Sequence, residues 1–308
     1  MKAFYKNNNG LFESKEWTPN CWINVECPTE EEKKYLLEDL KVPEEFYNDI
    51  EDIDERLRIE IENGWTLIII RIPVNTNNVK LPFNTIPVGI VFKGDICVTI
   101  SFHKTEMFTD FVVYTQRKGK NIKDNFDLVL KLLLSSSVWY LKYLKQVNQK
   151  IKLAEDNLEE SIKNEELQAL LQIEKCLVFF MTSLKGNDIL LHRIKNLKSQ
   201  RDSYDPELLE DVEIELRQAQ ETTNIYSDIL TGMMDAYASV ISNNLNAIMK
   251  QMTSISIILM IPTVIASLYG MNVPNNLEGN AYGLPIVILV SIILSVFGVF
   301  LFKKKRWF

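Results

Sequence analysis

Between Asp235 and Ser267 a polar or thioether side chain recurs every three or four residues: Asp235, Ser239, Ser242, Asn246, Met249, Thr253, Ser256, Met260, Thr263 and Ser267. Asp228 lies one heptad earlier on the same line. A mean spacing of 3.5 keeps such positions on one side of a supercoiled helix. Carboxylate, carboxamide, hydroxyl and thioether groups all offer acceptor atoms, and no Lys or Arg stands among them. The line would draw a cation to its acidic end and repel none along its length. The same residue types also suit a dry helix-packing seam, because Ser and Thr let helices approach closely. Asp228 and Asp235 tilt the choice toward a wet passage.

The elements that must carry this line are apolar. Residues 252–271 and 281–302 contain no charged side chain. Each run spans roughly 30 Å as a helix, the thickness of a bilayer's hydrocarbon core. Buried core helices usually stop at about 10–14 apolar residues, so two membrane spans are expected, with the lipid bilayer as partner. The mean hydropathy of -0.05 hides them because the apolar residues are unevenly placed. Two spans cannot enclose a pore, so a passage requires a homo-oligomeric ring.

The loop 272–280 has no Lys or Arg and one acid, Glu278, whereas Lys303, Lys304, Lys305 and Arg306 follow the second run. The positive-inside rule then puts both termini in the cytoplasm and the loop outside. The opening segment MKAFYKNNNGLFESKEW lacks the apolar core of a signal peptide, which predicts a cytoplasmic location for everything before residue 250. The expected localisation is the cell (inner) membrane, with two spans.

Three regions are predicted: an α/β cytoplasmic domain at 1–125, long cytoplasmic helices at 126–250, and a two-span pore domain with a basic tail at 251–308. CWINVEC, WTLIIIRIPV, NTIPVGIVFKG and DICVTISFH read as strands, with a Lys93-Gly94-Asp95 turn joining the last two. Thr29 and Glu32 are spaced as a capping box. Leu128–Tyr143, Ala154–Phe180 and the stretch after Pro206 carry helical patterns, with breaks predicted at Gly186 and around Ser203–Pro206. From Pro206 one helix can continue for over about 50 residues into the first apolar run.

Cys21, Cys27, Cys97 and Cys176 form no C-x-x-C pair, so reduced packing residues are expected. The net charge of -7 argues against nucleic acid. No Gly-rich phosphate loop, nucleophile elbow or metal-ligand cluster marks an enzyme, and no organic cofactor is expected.

Tyr269-Gly270-Met271-Asn272 closes the first apolar run. In its context (PTVIASLYGMN, an acid in the short loop, a terminal KKKRW) it resembles the signature of the CorA family of magnesium channels and transporters. The segment WINVECPTEEEKKYLLEDLKVPEEFYNDIEDIDERLRIE is similar to that family's cytoplasmic domain, so the resemblance covers nearly the whole chain. It departs at Leu57, where the family often has proline between two arginines, at Val273, which replaces an aromatic residue, and around Glu278.

The resemblance implies a homopentameric funnel that takes up hydrated Mg²⁺, with Co²⁺ or Ni²⁺ as further cargo. Gly270, Met271 and Asn272 would form the selectivity filter, with Asn246, Met249, Met252, Met260 and Thr263 lining the pore, to which the polar line itself adds Thr253 and Ser256. Asp211 and Asp235 match acidic positions at which intracellular Mg²⁺ bridges subunits and holds the channel shut, and Asn272 completes the metal-contacting set. The alternatives are a ZntB-like zinc transporter and a non-conducting membrane-anchored scaffold or sensor.

Overall fold

The computed structural model describes residues 2–78, 81–160, 164–197, 205–271, 282–305 and 307. The chain divides into two compact units, Met1–Gly232 and Met233–Phe308.

The first unit is built on a seven-stranded sheet. Its strands are β1 (Lys2–Asn7), β2 (Leu11–Ser14), β3 (Trp22–Glu26), β4 (Ile59–Glu62), β5 (Trp65–Asn78), β6 (Leu81–Lys93) and β7 (Ile96–Ser101), in the order β2-β1-β3-β7-β6-β5-β4. Only β3 and β7 pair in parallel, with Trp22 opposite Cys97. Leu67 and Ile69 alternate with Ile68, Ile70 and Ile72 along β5, and all five are buried. A strand apolar on both faces needs cover on both.

One face is covered by α1 (Glu30–Lys34), a π-helical turn (Tyr35–Asp39) and α2 (Glu44–Glu51), which contribute Leu36, Phe46, Tyr47 and Ile50 to a core with Ile23, Leu67, Val91 and Val98. The capping box forms as expected: the Glu32 backbone N–H donates to Thr29 Oγ1, and the Thr29 N–H donates to Glu32 Oε2. The other helices of the unit are α3 (Glu106–Lys118), α4 (Asn125–Glu160), α5 (Asn164–Lys195) and the start of α6 (Pro206–Tyr269). Both α4 and α5 pack on β5 and β6, bringing Tyr140 and Phe180 edge to face at 5.1 Å between centroids. Residues 1–125 and the two long helices after them therefore share one compact unit.

Gly186 does not break a helix. It sits within α5, where a Cβ would lie 2.5 Å from Leu57 Cδ1. Glycine permits that close approach, and its modest helical cost is outweighed by packing. Leu57, the residue that departs from the family pattern, thus packs against α5. Strands β1, β2 and β4 and helix α3 went unread in the sequence. The four cysteines are free, and burial pushes the Cys97 thiol up to about 12.

Where β4 stops at the Ile59–Ile68 pair, β5 continues with an open edge. Open edges need partners for their backbone groups. Asn187 of α5 supplies them, accepting from the Arg71 N–H at 3.1 Å and donating to the Arg71 carbonyl at 2.8 Å. The Tyr140 hydroxyl donates to the same carbonyl at 3.1 Å.

In the second unit the remainder of α6 is joined by α7 (Gly283–Lys304). Trp307 stacks on Phe302 with 5.5 Å between ring centroids.

Candidate ion-conduction site

Helix α6 begins where local chemistry favours a start. Asp205 Oδ1 accepts from the Glu207 N–H at 3.2 Å, and Pro206 occupies the first turn, where its missing N–H costs nothing. A hydrogen bond from Lys123 holds the Asp205 carboxyl below its ordinary range. The helix then runs for 64 residues to Tyr269, and the Gly270 N–H still reaches the Ala266 carbonyl at 2.9 Å.

In the second unit α7 covers one side of α6. Ser254 is fully buried, and Ile258, Ile261 and Ile265 are half-buried. Opposite them α7 presents small residues, Gly283, Ser291 and Gly298, all buried. A Cβ on Gly298 would lie 3.4 Å from Ile261 Cδ1, ordinary close packing. The spacing Ser291, Ser295, Gly298 is the small-residue signal of close helix approach. It was legible in the sequence and was missed.

The predicted line falls on the uncovered part of α6. Asp235, Ser239, Ser242, Asn246, Met249, Thr253, Ser256, Met260, Thr263 and Ser267 are all exposed, as is Met252. Thr263 is displaced by about 200° from both Ile261 and Ile265 at 100° per residue, and Ser256 by the same angle from Ser254 and Ile258. Thr263 and Ser256 therefore lie away from the face that α7 occupies, and the other members of the line lie outside it.

Three hydroxyls on this line, those of Thr253, Ser256 and Thr263, are not free donors. Thr253 Oγ1 donates to the Met249 carbonyl at 2.8 Å, Ser256 Oγ to Met252 at 2.9 Å and Thr263 Oγ1 to Leu259 at 3.1 Å. A hydroxyl whose proton is spent on its own helix presents only oxygen lone pairs outward. Such a surface accepts hydrogen bonds, and the outer face of a hydrated cation's water shell donates them.

Of the filter residues, Gly270 and Met271 are exposed at the end of α6, and Asn272 lies outside the described residues, as does Glu278. Asp211 and Asp235 are both exposed, one in each unit. Asp211 borders a cavity of about 600 Å³ that also receives Asp110, Glu215, Arg117, Lys120 and Lys131. Among the described residues no three His, Cys, Asp or Glu side chains converge to hold a metal ion.

Among the described residues three helices are long and apolar enough to cross a membrane: Glu165–Lys195, Pro206–Tyr269 and Gly283–Lys304. The first is α5, whose Leu177, Phe180 and Leu184 are buried in the sheet unit. On α6 and α7, by contrast, Leu259, Leu268, Leu289, Val296 and Phe300 are each more than half exposed.

The family model described as CorA-like Mg2+ transporter protein matches residues 18–304. The cobalt/magnesium transport protein CorA of Methanocaldococcus jannaschii is 24% identical over 291 residues, covering 93% of this chain and 90% of that protein. Its namesake in Thermotoga maritima is 26% identical over 264 residues, 84% of this chain and 75% of that protein. Among solved structures, the complete CorA magnesium transporter from M. jannaschii superposes with a TM-score of 0.85 at 22% identity, covering 100% of this chain and 99% of the other. The cytoplasmic domain of ZntB from Vibrio parahaemolyticus reaches 0.61 at 12% identity, covering 79% of this chain and 98% of that domain. An α/β amino-terminal domain, long helices and an apolar carboxy-terminal helix are common to this fold, and the chain belongs to the family of CorA-like Mg2+ transporter proteins.

Proposed function

We propose that this chain forms a homopentameric channel for hydrated Mg²⁺, with each copy turning the exposed line of α6 toward a central axis. The observation that carries the reading is the exposed set of Asn246, Thr253, Ser256 and Thr263 on the part of α6 that α7 leaves uncovered, with the three hydroxyl protons spent on the helix's own carbonyls. Mg²⁺ gives up its water reluctantly and insists on a tight octahedron of oxygens. Acceptors that bind the ion's water shell avoid that dehydration. Asn272 would complete the selection as a ring of carboxamides, with Gly270 and Met271 shaping the turn that presents it. Met249, Met252 and Met260 supply apolar narrows that close by dewetting.

The apolar surfaces of α6 and α7 fit a bilayer, with both termini on the cytoplasmic side. Two charges at about 2.3 kcal/mol each per 100 mV give roughly 4.6 kcal/mol of driving force. Asp211 and Asp235 would bridge neighbouring copies through Mg²⁺ when the internal concentration is high. Bridged carboxylates attract and empty ones repel, so the ion shifts the population toward a closed ring. Asp235→Asn should raise the internal Mg²⁺ needed for closure several-fold, and unchanged sensitivity in both Asp235 and Asp211 variants would remove these acids from gating.

The reading is tested by Mg²⁺ flux into proteoliposomes at a set potential. Saturable flux that rises with inside-negative potential supports it, and purified protein that conducts nothing would favour a scaffold or sensor. The names of the M. jannaschii and T. maritima relatives make Co²⁺ the first competitor to add, with Ni²⁺ and Zn²⁺ following.

A further inference from the structure

A second cavity, of about 680 Å³, lies in the first unit between the loop before β4, the middle of β5 and β6, and one face of α5. Its volume falls within the range of small-molecule sites, about 300–1,000 Å³. Four cationic side chains line it, Arg56, Arg71, Lys185 and Arg193, against two acids, Asp54 and Glu55. Glu55 is already engaged by Arg58. Among the described residues Arg56, Lys185 and Arg193 form no ion pair, and neither does Arg71. The cavity thus carries an excess of positive charge in a chain whose net charge is -7.

Arg71 is the informative member. It is half-buried, and desolvation lowers its pKa from the ordinary arginine value. Its Nε donates to Thr85 Oγ1 at 3.3 Å, Nη1 to the Ile53 and Glu55 carbonyls at 2.9 and 3.2 Å, and Nη2 to the Thr85 carbonyl at 2.9 Å. These are neutral acceptors and they use four of the five N–H groups of a guanidinium. Neutral oxygens orient the guanidinium, and Asp54 and Asp52 offset part of its charge through space without forming an ion pair among the described residues. Beside the cations, Phe179 stands 41% exposed at the cavity and offers an apolar face against which a flat ring can lie, with Ile189 further along α5.

We propose that this cavity binds a phosphorylated small molecule with a planar apolar group, of the nucleoside diphosphate class. Its phosphates would lie among Arg71, Lys185 and Arg193 and its ring against Phe179. The site does not rest on ion conduction, since every residue in it lies in the first unit.

The test is calorimetric titration of the detergent-solubilised full chain, in EDTA so that metal chelation contributes no heat. ADP is the probe, with pyrophosphate and adenosine as its two halves. Saturable ADP binding is expected, weaker binding of pyrophosphate and none of adenosine. K185Q/R193Q changes exposed side chains and should weaken ADP at least tenfold while leaving the melting temperature in place. F179A should weaken ADP but not pyrophosphate. Absence of saturable ADP binding, an unchanged dissociation constant in K185Q/R193Q, or pyrophosphate binding as tightly as ADP would each overturn the assignment.

Discussion

The two units answer the same physical demand in opposite ways. In Met1–Gly232 a closed apolar core forms: Ile23, Leu67, Ile90, Tyr140 and Phe180 are essentially inaccessible, even the open edge of β5 finds Asn187, and the exposed apolar residues, such as Ile61 and Leu153, are scattered. In Met233–Phe308 the apolar side chains are mostly exposed, and the buried positions reduce to small ones such as Ser254, Ser291 and Gly298. A soluble surface that apolar would be anomalous. The first unit builds its own core from a single chain. The second leaves an apolar surface that, in the proposed channel, would be covered by hydrocarbon and by further copies.

That contrast breaks hardest at the end of α6. Asn272→Ala should lower Mg²⁺ uptake by tenfold or more, while the melting of the first unit and the assembly size stay as in the wild type. Uptake within twofold of wild type would remove Asn272 from the filter. Within α6 the comparison sharpens to two faces of one helix. Thr263→Val keeps the shape and deletes an acceptor on the exposed line, so flux should fall several-fold. Ser254→Ala, on the covered face, should change flux less than twofold. Equal losses from both would mean that the exposed line has no special part in conduction.

In the first unit the corresponding deletion should register in stability and not in flux. Asn187→Ala leaves the Arg71 N–H without its acceptor, whereas the Arg71 carbonyl keeps the Tyr140 hydroxyl. An unsatisfied buried donor costs about 1–3 kcal/mol. Thermal unfolding should shift down accordingly, and ion selectivity should not move.

The same contrast explains what was legible in the sequence. The uncharged runs of α6 and α7, and the polar line on α6, rest on composition and helical period, which a single chain displays directly. The central strands β3, β5, β6 and β7 were readable because Val and Ile are dense in them. Strands β1 and β2 were not, since KAFYKN and LFES have few such residues and are held by pairing with β3 and packing on α3. Gly186 misled because its reason is a contact with Leu57, some 130 residues away in sequence. The proposed bridging at Asp211 and Asp235 is different in kind: composition and period do not display it, because a single copy would contain only half of each bridge.

The smallest effect concerns the start of α6. Asp205 both caps the helix and meets Lys123 at 3.1 Å, and the Lys123 hydrogen bond depresses its pKa. A carboxyl whose folded pKa is lowered stabilises the fold above its unfolded pKa, and that contribution disappears as pH falls through the folded value. Both groups lie at the surface, so the effect is modest and screened by salt. Asp205→Asn isolates it, because asparagine caps about as well as aspartate but carries no charge. The melting temperature of wild type should exceed that of the variant at about pH 6, and the gap should shrink as pH falls from there to below the reference carboxylate value of about 3.9. A gap that persisted unchanged across that interval would show that shape, and not the Lys123 pair, makes Asp205 useful there.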